Sequence, residues 1–221
     1  MDAVQGLAVD ILSDSYRFFL EHELGTLAAA LPQRLSAVGR AAVEQTGDFD
    51  CAFVFPPVRL QREQTGALIS TLLHSPAAVD ETEQYAAEPW ILKAFDLPAM
   101  ETRNRPAGAY VLLYRDAPVP PETRSQASRA KLDRLFANEN WNGLTFHEYL
   151  VLQRLWLESC GDHRFDHYDH QQMWLPDSRF GDKLVHAHWN PKAQRVEIGW
   201  CKPAKRHTQR GAHPTRVVAL D

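Results

Sequence analysis

Length, composition and charge describe an ordinary globular chain of 221 residues, 44% of them hydrophobic, with a net charge of −4 and a pI near 6.2. This balance argues against nucleic-acid binding through overall charge, and no apolar run reaches the roughly 18 to 20 residues of a membrane-spanning helix. Three widely spaced cysteines and the lack of a secretory signal favour a reducing compartment, so we expect a cytoplasmic protein.

Two helices, a strand and a third helix are predicted in the first part of the chain. Apolar residues recur at helical spacing over residues 3–30 and again over residues 35–43. Residues 50–55 are aromatic and apolar and are followed by a proline pair, which indicates a short buried strand. An apolar stripe predicts a further helix over residues 63–74.

The clearest helix start in the chain follows a second strand and a polar helix. Residues 109–114 fit a buried strand, and residues 122–137 fit a surface helix. Thr145 and Glu148 fit a capping box, in which each side chain accepts a hydrogen bond from the backbone N–H of the other residue. A buried helix is expected to run from there to Cys160. The remaining predicted strands cover residues 173–175, 183–189 and 195–201.

Helices dominate the first half of this pattern, and a hairpin stands near its end. We therefore assign the α+β class: a helical N-terminal half with a small antiparallel sheet that ends in a C-terminal β-hairpin. Because no flexible linker is evident, residues 1–221 are expected to form a single domain. The proline-rich stretch 117–122 is the one candidate for a seam.

Histidines are concentrated late in the chain, where eight of the ten lie beyond residue 146. Side chains alternate between the faces of a strand, so His186 and His188 share the polar face of the predicted hairpin. If the two apolar faces are matched across a loop at residues 190–193, His186 stands opposite Glu197 and His188 opposite Arg195.

Two histidines and a carboxylate on one face are a recurring metal-binding arrangement. We predict that His186, His188 and Glu197 hold a divalent metal, either zinc or iron. The alternative is a solvated sheet face with an ordinary cross-strand contact between histidine and glutamate. A second group of one cysteine and three histidines, over residues 160–170, has helix-like spacing, but its interleaved aspartates favour a polar loop over a pocket.

Several short motifs in the last third of the chain occur together in one known family. They are Leu144-Thr145, Ser178 to Asp182, Gly199-Trp200-Cys201 and His207-Thr208. Over about residues 144–210 the chain thereby resembles an uncharacterised, mostly actinobacterial family, a numbered domain of unknown function. The family brings no assigned activity, so the resemblance implies a shared site without naming its chemistry.

The resemblance implies catalytic roles for Cys201 and His207, as a thiolate and an imidazole close enough to pair. It implies substrate-binding roles for Ser178, Arg179, Trp200 and Thr208. The alternative is that Trp200 and Cys201 pack in the core while His207 caps a turn. The chain departs from the family at both hairpin histidines, so a metal held there would be particular to this chain.

The primary functional hypothesis is a small-molecule enzyme with a site rich in histidine and cysteine, with or without a metal. No phosphate-binding loop, dinucleotide-binding glycine pattern or G-x-S-x-G motif supports a more specific class. The alternative is a module that binds an anionic ligand or nucleic acid through the basic stretch 202–210, since residues 198–220 contain no Asp or Glu. A third possibility is an accessory protein that makes a protein contact through some of its six tryptophans.

Overall fold

The computed structural model describes residues 2–22, 24–45, 47–57, 100–117, 121–124, 129–160, 172–190, 195–201 and 210–220. Residues 195–201 are described by their backbone only. The helices are α1 (Asp2–Glu21), α2 (Gly25–Ala29), α3 (Ala37–Glu44), α4 (Pro121–Arg124), α5 (Arg129–Asn138) and α6 (Phe146–Cys160). The strands are β1 (Cys51–Phe55), β2 (Met100–Thr102), β3 (Tyr110–Tyr114), β4 (Gln172–Phe180), β5 (Lys183–Asn190), β6 (Arg195–Cys201), β7 (Arg210–Ala212) and β8 (Thr215–Ala219). Helices and mainly antiparallel sheets confirm the α+β class.

The chain divides into two compact units. The first contains residues 1–60, 104–116 and 215–221, and the second contains residues 61–103 and 117–214. The proline-rich stretch proposed as a seam thus begins where the chain enters the second unit again. A single domain is one that folds as a whole, and a division by contacts does not test this property. The single domain over residues 1–221 therefore stays a prediction.

The first unit is built on a three-stranded antiparallel sheet in the order β1-β3-β8. All five residues of β3, the central strand, are buried, as an uninterrupted apolar run predicts. Helix α1 contacts β1 through aromatic side chains: the rings of Phe18 and Phe19 each lie 5.7 Å from the ring of Phe53. These edge-to-face contacts are the favoured geometry for aromatic pairs and anchor α1 to the sheet.

A single buried hydroxyl also joins α1 to this sheet. The Ser15 side chain donates a hydrogen bond to the carbonyl of Ile11 at 2.8 Å and accepts one from the N–H of Val54 at 2.9 Å. Strand β1 stands at the edge of the sheet, and Val54 is fully buried. Ser15 therefore satisfies an edge-strand N–H that burial would otherwise leave without an acceptor.

The second unit contains a five-stranded sheet with β4 at its centre. Strand order is β2-β4-β5-β6, and β7 also pairs with β4, in parallel. Pairing between β4 and β5 is interrupted by a bulge between Leu175 and Arg179. Pro176 lies within this interruption, where a residue without an N–H costs no ladder hydrogen bond.

The observed register of the hairpin β5–β6 corrects the predicted one. His188 stands opposite Glu197, His186 opposite Gly199 and Asn190 opposite Arg195. The prediction was wrong by two residues, because β5 continues through Asn190 and the four-residue connection therefore lies one position later. A shift of two residues keeps every side chain on its face, so the hydrophobic pattern could not distinguish the two registers.

Most predicted elements agree with the structure where the two can be compared. The helix predicted over residues 3–30 is interrupted between α1 and α2, and the helix predicted over residues 122–137 is observed as α4 and α5. Strand β4 is much longer than the predicted 173–175, and β2, β7 and β8 were not predicted. The predicted helix over residues 63–74 and most of the segment 160–170 lie outside the described residues.

Within the described ranges, no helix is both long enough and apolar enough to cross a membrane.

The thiol of Cys51, at the start of β1, lies in an environment that opposes ionisation. Burial raises its pKa to about 11, and the nearby carboxylates of Asp50 and Asp116 act in the same direction. The thiolate is the reactive form of cysteine, so the native thiol should react slowly.

We therefore expect iodoacetamide at pH 8 to label Cys51 in the folded protein about 100-fold more slowly than in the guanidinium-unfolded protein. Peptide mass spectrometry after timed quenching measures the rate at this position alone. Similar rates in the two states would contradict the proposed environment. An Asp116→Asn variant should react faster than the wild type, because one of the opposing charges is gone.

Candidate functional site

The junction between β4 and the start of α6 is a buried polar network. Asp177 accepts a hydrogen bond from the N–H of Gly143 through Oδ2 at 3.1 Å, and its own N–H donates to the carbonyl of Leu144 at 3.3 Å. On its other side, the Asp177 carbonyl accepts from the N–H of Arg103 at 2.9 Å. Asp177 therefore links three segments of the second unit. Sequence reasoning missed it, because Pro176-Asp177 has the composition of a turn.

The capping box predicted at the start of α6 is confirmed. The N–H of Thr145 donates to Oε2 of Glu148 at 2.7 Å, and the N–H of Glu148 donates to Oγ1 of Thr145 at 3.3 Å. Both side chains are fully buried. Two of the N–H groups that a helix start leaves without intrahelical partners are thus satisfied inside the protein.

Ser178, a predicted substrate-binding residue, has a structural partner at the same helix start. Its Oγ accepts a hydrogen bond from the N–H of Phe146 at 2.8 Å, and only 1% of the residue is exposed. Ser178 thereby attaches the first turn of α6 to β4. A contact between Ser178 and a substrate stays a prediction.

Arg179, the second predicted substrate-binding residue, is also buried, with 4% of its surface exposed. Its Nη2 lies 3.6 Å from Oδ1 of Asp133 on α5, and its Nη1 donates to the carbonyl of Ser178 at 3.3 Å. The Asp133 carboxylate is about half exposed, so one side of this ion pair faces solvent. Arg179 therefore lies where the sheet meets α5.

A cluster of aromatic and basic side chains covers the middle of the sheet; we call it the Trp174 cluster, and it consists of Trp174, His186 and Arg210. Trp174 and His186 are cross-strand neighbours on β4 and β5, with perpendicular rings whose centroids are 6.0 Å apart. The Arg210 guanidinium lies 4.9 Å from the centroid of the Trp174 ring, within the range of a cation–π interaction. Helix α5 packs against Trp174 through Leu132 and Phe136.

One predicted metal ligand, His186, belongs to the Trp174 cluster, and a second, His188, lies two residues further along β5. His186 and His188 are both partly buried and, being two residues apart on β5, share one face of the sheet. Glu197 is the ladder partner of His188. In the part of the chain with described side chains, no group of three metal-binding residues is found, and the Glu197 side chain lies outside that part. The metal site therefore stays a prediction.

The other predicted site residues can be located only in part. Trp200 pairs with Val185, and Cys201 pairs with Leu184, two residues before His186 on β5. Both positions are described by their backbone alone. His207 and Thr208 lie outside the described residues, so the expected pairing of Cys201 with His207 stays untested.

His213 is a buried histidine with a structural role. Its Nε2 lies 2.9 Å from the carbonyl oxygen of Ala117, its Nδ1 lies 3.3 Å from that of Pro214, and its ring is 6.1 Å from that of Trp156. The imidazole thereby connects the segment at Ala117 with the segment between β7 and β8, both in the second unit. Because its ring contacts these backbone groups, we do not propose His213 as a ligand-binding residue.

His147, the second residue of α6, lies in an environment that disfavours its charged form. The residue keeps some exposed surface, but both ring nitrogens are buried, and neither has a hydrogen-bond partner among the described residues. Burial lowers the pKa of His147 to about 4, against a smaller opposite effect of the Glu148 carboxylate. The imidazole is therefore neutral at pH 7.

No family model, curated protein or solved structure matches the chain. The resemblance over residues 144–210 therefore stays a prediction, and the function is argued from this chain alone.

Replacing Glu148 by alanine should remove the carboxylate that satisfies the Thr145 N–H and leave that group buried without an acceptor. We expect the free energy of unfolding to fall by about 2–3 kcal/mol, as measured by urea denaturation at pH 7. The exposed Glu139, replaced in the same way, is the control and should change stability by no more than about 0.5 kcal/mol. Equal effects of the two substitutions would contradict the structural role of Glu148.

The His147 environment predicts a specific loss of stability in acid. Between pH 6.5 and 4 the unfolded chain binds a proton at His147 and the folded chain does not, so stability falls as the pH falls. Relative to a His147→Leu variant, the wild type should lose about 2.5 kcal/mol between pH 7.5 and 4.5. Urea denaturation of both proteins at each pH measures this difference, which should be constant between pH 7.5 and 8.5. A difference that is equal at pH 7.5 and 4.5 would show that the ring is open to solvent.

Proposed function

We propose that the protein is a small-molecule enzyme whose site lies on the sheet face that carries His186 and His188, and that these two residues and Glu197 hold a divalent metal. The observation that supports this most is the pairing of β5 with β6, in which Glu197 is the direct partner of His188. The observed register brings the carboxylate-bearing position beside the end of the histidine pair.

The spacing of the three residues suits a metal ion. Alternate residues on one strand lie about 6.5 Å apart, and the imidazoles of such a pair can converge on one ion. The residue directly opposite on an antiparallel neighbour has its Cβ about 4.5–5.5 Å away, within reach for a glutamate. Two histidines and one carboxylate leave open positions for water or substrate, and zinc and iron both accept this set.

The chemistry that such a site offers is Lewis-acid catalysis. A metal held by His186, His188 and Glu197 would supply a Lewis acid for a carbonyl or phosphoryl oxygen, or would activate a water near neutral pH. Cys201 and His207 offer a route without a metal, in which the imidazole would take the proton of the thiol, the thiolate would attack a substrate carbonyl carbon, and the imidazolium would give the proton to the departing group. Cys201 ends β6 opposite Leu184, at the open end of the hairpin, whereas His188 and Glu197 stand closer to the turn, so the two routes would use different parts of the hairpin.

The Trp174 cluster indicates what kind of substrate would fit beside the histidines. Trp174 is itself buried, between α5 and Arg210, and it holds the Arg210 guanidinium in place as a fixed positive charge. Stacked guanidinium groups recognise carboxylates and phosphates with defined geometry. A small molecule with one anionic group matches this charge, and Thr208 remains a proposed contact to it. Trp200 stands opposite Val185, out of step with both histidines, so its proposed substrate contact would need a site on the other face of the sheet. Ser178 is buried against the start of α6 and Arg179 against α5, and both would act by fixing β4 in place.

Metal content of the protein, purified without a histidine tag or chelator, tests this proposal. We expect about one equivalent of zinc or iron by elemental analysis, and loss of most of it in the double variant His186→Ala/His188→Ala. Circular dichroism should show that this variant keeps its fold, because both side chains are only partly buried.

The matched control is the double variant His163→Ala/His167→Ala, which removes the same number of histidines from the other cluster. It should keep the metal. Loss of metal in this control and its retention in the hairpin variant would move the site to residues 160–170. Absence of metal from the wild type after incubation with each ion would leave only the Cys201–His207 route.

The second candidate is a module that binds an anionic ligand without catalysis, through the basic stretch near the C-terminus. One observation favours it: Arg210 is buried and stacked on Trp174 instead of extending into solvent. The same observation argues against nucleic acid, because extended phosphate contacts need basic side chains that reach outward. If the protein is such a binding module, an Arg210→Ala variant would lose binding of the anionic ligand. The His186→Ala/His188→Ala variant would then have the same metal content as the wild type.

A further inference from the structure

The first unit carries a groove that is separate from the sheet site and from the function proposed for it. The groove lies between α1 and residues 28–40 and encloses a volume of about 800 Å³. Its lining is mainly apolar, and the apolar side chains come from both sides of the groove: Leu12, Tyr16, Leu20, Ala28, Leu31 and Leu35.

The two sides of the groove differ in burial. Ala28, Leu31 and Leu35 are buried and form its floor. On α1, Tyr16 and Leu20 are 46% and 50% exposed, although both are large and hydrophobic. The two lie one helical turn apart and hence next to each other. Isolated exposed apolar residues are common on protein surfaces, whereas this adjacent pair extends the apolar surface of the groove.

The rim of the groove is positively charged. Three arginines and one glutamate line it, namely Arg17, Arg34, Arg40 and Glu21, and with the Asp14 carboxylate that pairs with Arg17 the net charge is +1. Arg17 pairs with Asp14 at 2.7 Å, and Arg40 donates to the carbonyl of Leu35 at 2.9 Å. Arg34 is exposed, and the described part of the chain offers it no hydrogen bond or ion pair.

We propose that this groove binds a single-chain anionic amphiphile, specifically a free long-chain carboxylate. The hydrocarbon chain lies on the buried floor under Tyr16 and Leu20, and the carboxylate meets Arg34 at the rim. The volume lies within the range of small-molecule pockets, roughly 300–1,000 Å³. Two exposed side chains, by contrast, offer far less than the roughly 1,000 Å² that a stable protein interface buries.

A fluorescent fatty acid, cis-parinarate, tests this site directly when it is used below its micelle concentration. We expect saturable binding with one site per chain, displaced by laurate. Dodecyltrimethylammonium, which has the same tail with a cationic head, should displace it at least about tenfold less well. Leu20→Asp should raise the Kd at least about tenfold, and Arg34→Glu by about as much.

Two surface variants are the matched controls. Val38 is 56% exposed and hydrophobic but does not line the groove, so Val38→Asp should leave the Kd within about twofold. Arg134→Glu makes the same charge change as Arg34→Glu on α5, in the second unit, and should also be silent. Because Arg34 is exposed, its variant keeps the test valid even if Leu20→Asp does not fold.

Three results would overturn the proposal. One is wild-type affinity in both groove variants, and another is equal displacement by the anionic and cationic detergents. The third is association with phosphatidylglycerol vesicles without any binding of monomeric parinarate, which would make the groove a membrane-contact surface instead. None of these results bears on the metal content that tests the sheet site.

Discussion

Strand β4 is the element on which the second unit depends. It pairs with β5 along one edge and with β2 and β7 along the other, and its bulged middle holds the start of α6 through Asp177 and Ser178. The bulge makes this possible, because it frees the Asp177 backbone from the ladder to bond with Leu144 and Arg103 instead. Close packing fixes the same point, since a Cβ at Gly143 would overlap the ring of Pro176.

The same strand explains where sequence reasoning succeeded and where it failed. The capping box and the hairpin were predictable because each depends on residues close in sequence. The length of β4 was not, since Pro176, Asp177 and Ser178 have turn chemistry and only a bulge lets a strand contain them. Strands β2 and β7 have three residues each, too few for an alternating pattern, and they exist because β4 offers them an edge.

The candidate site was predictable only in its local part. His186 and His188 could be placed on one face from their spacing alone, whereas their partners on β6 depended on a register that the hydrophobic pattern leaves open. The stacking of Arg210 on Trp174 could not be foreseen, because it arises from parallel pairing between segments almost 40 residues apart. Likewise, Ser178 and Arg179 were predicted to bind substrate, which stays a prediction, and the structure gives both a packing role that their sequence context did not reveal.

The order of strands in the first unit has a consequence for how the protein is made. Strand β3 pairs on one side with β1 and on the other with β8, which follows about 100 residues later in the chain. At roughly 5–20 residues per second, a ribosome needs about 5–20 s to synthesise the intervening chain. Throughout that time one edge of a fully apolar strand has no partner, while residues 117–214 of the second unit emerge. The β3 edge of the nascent chain thus has no strand partner for seconds, until β8 has been synthesised.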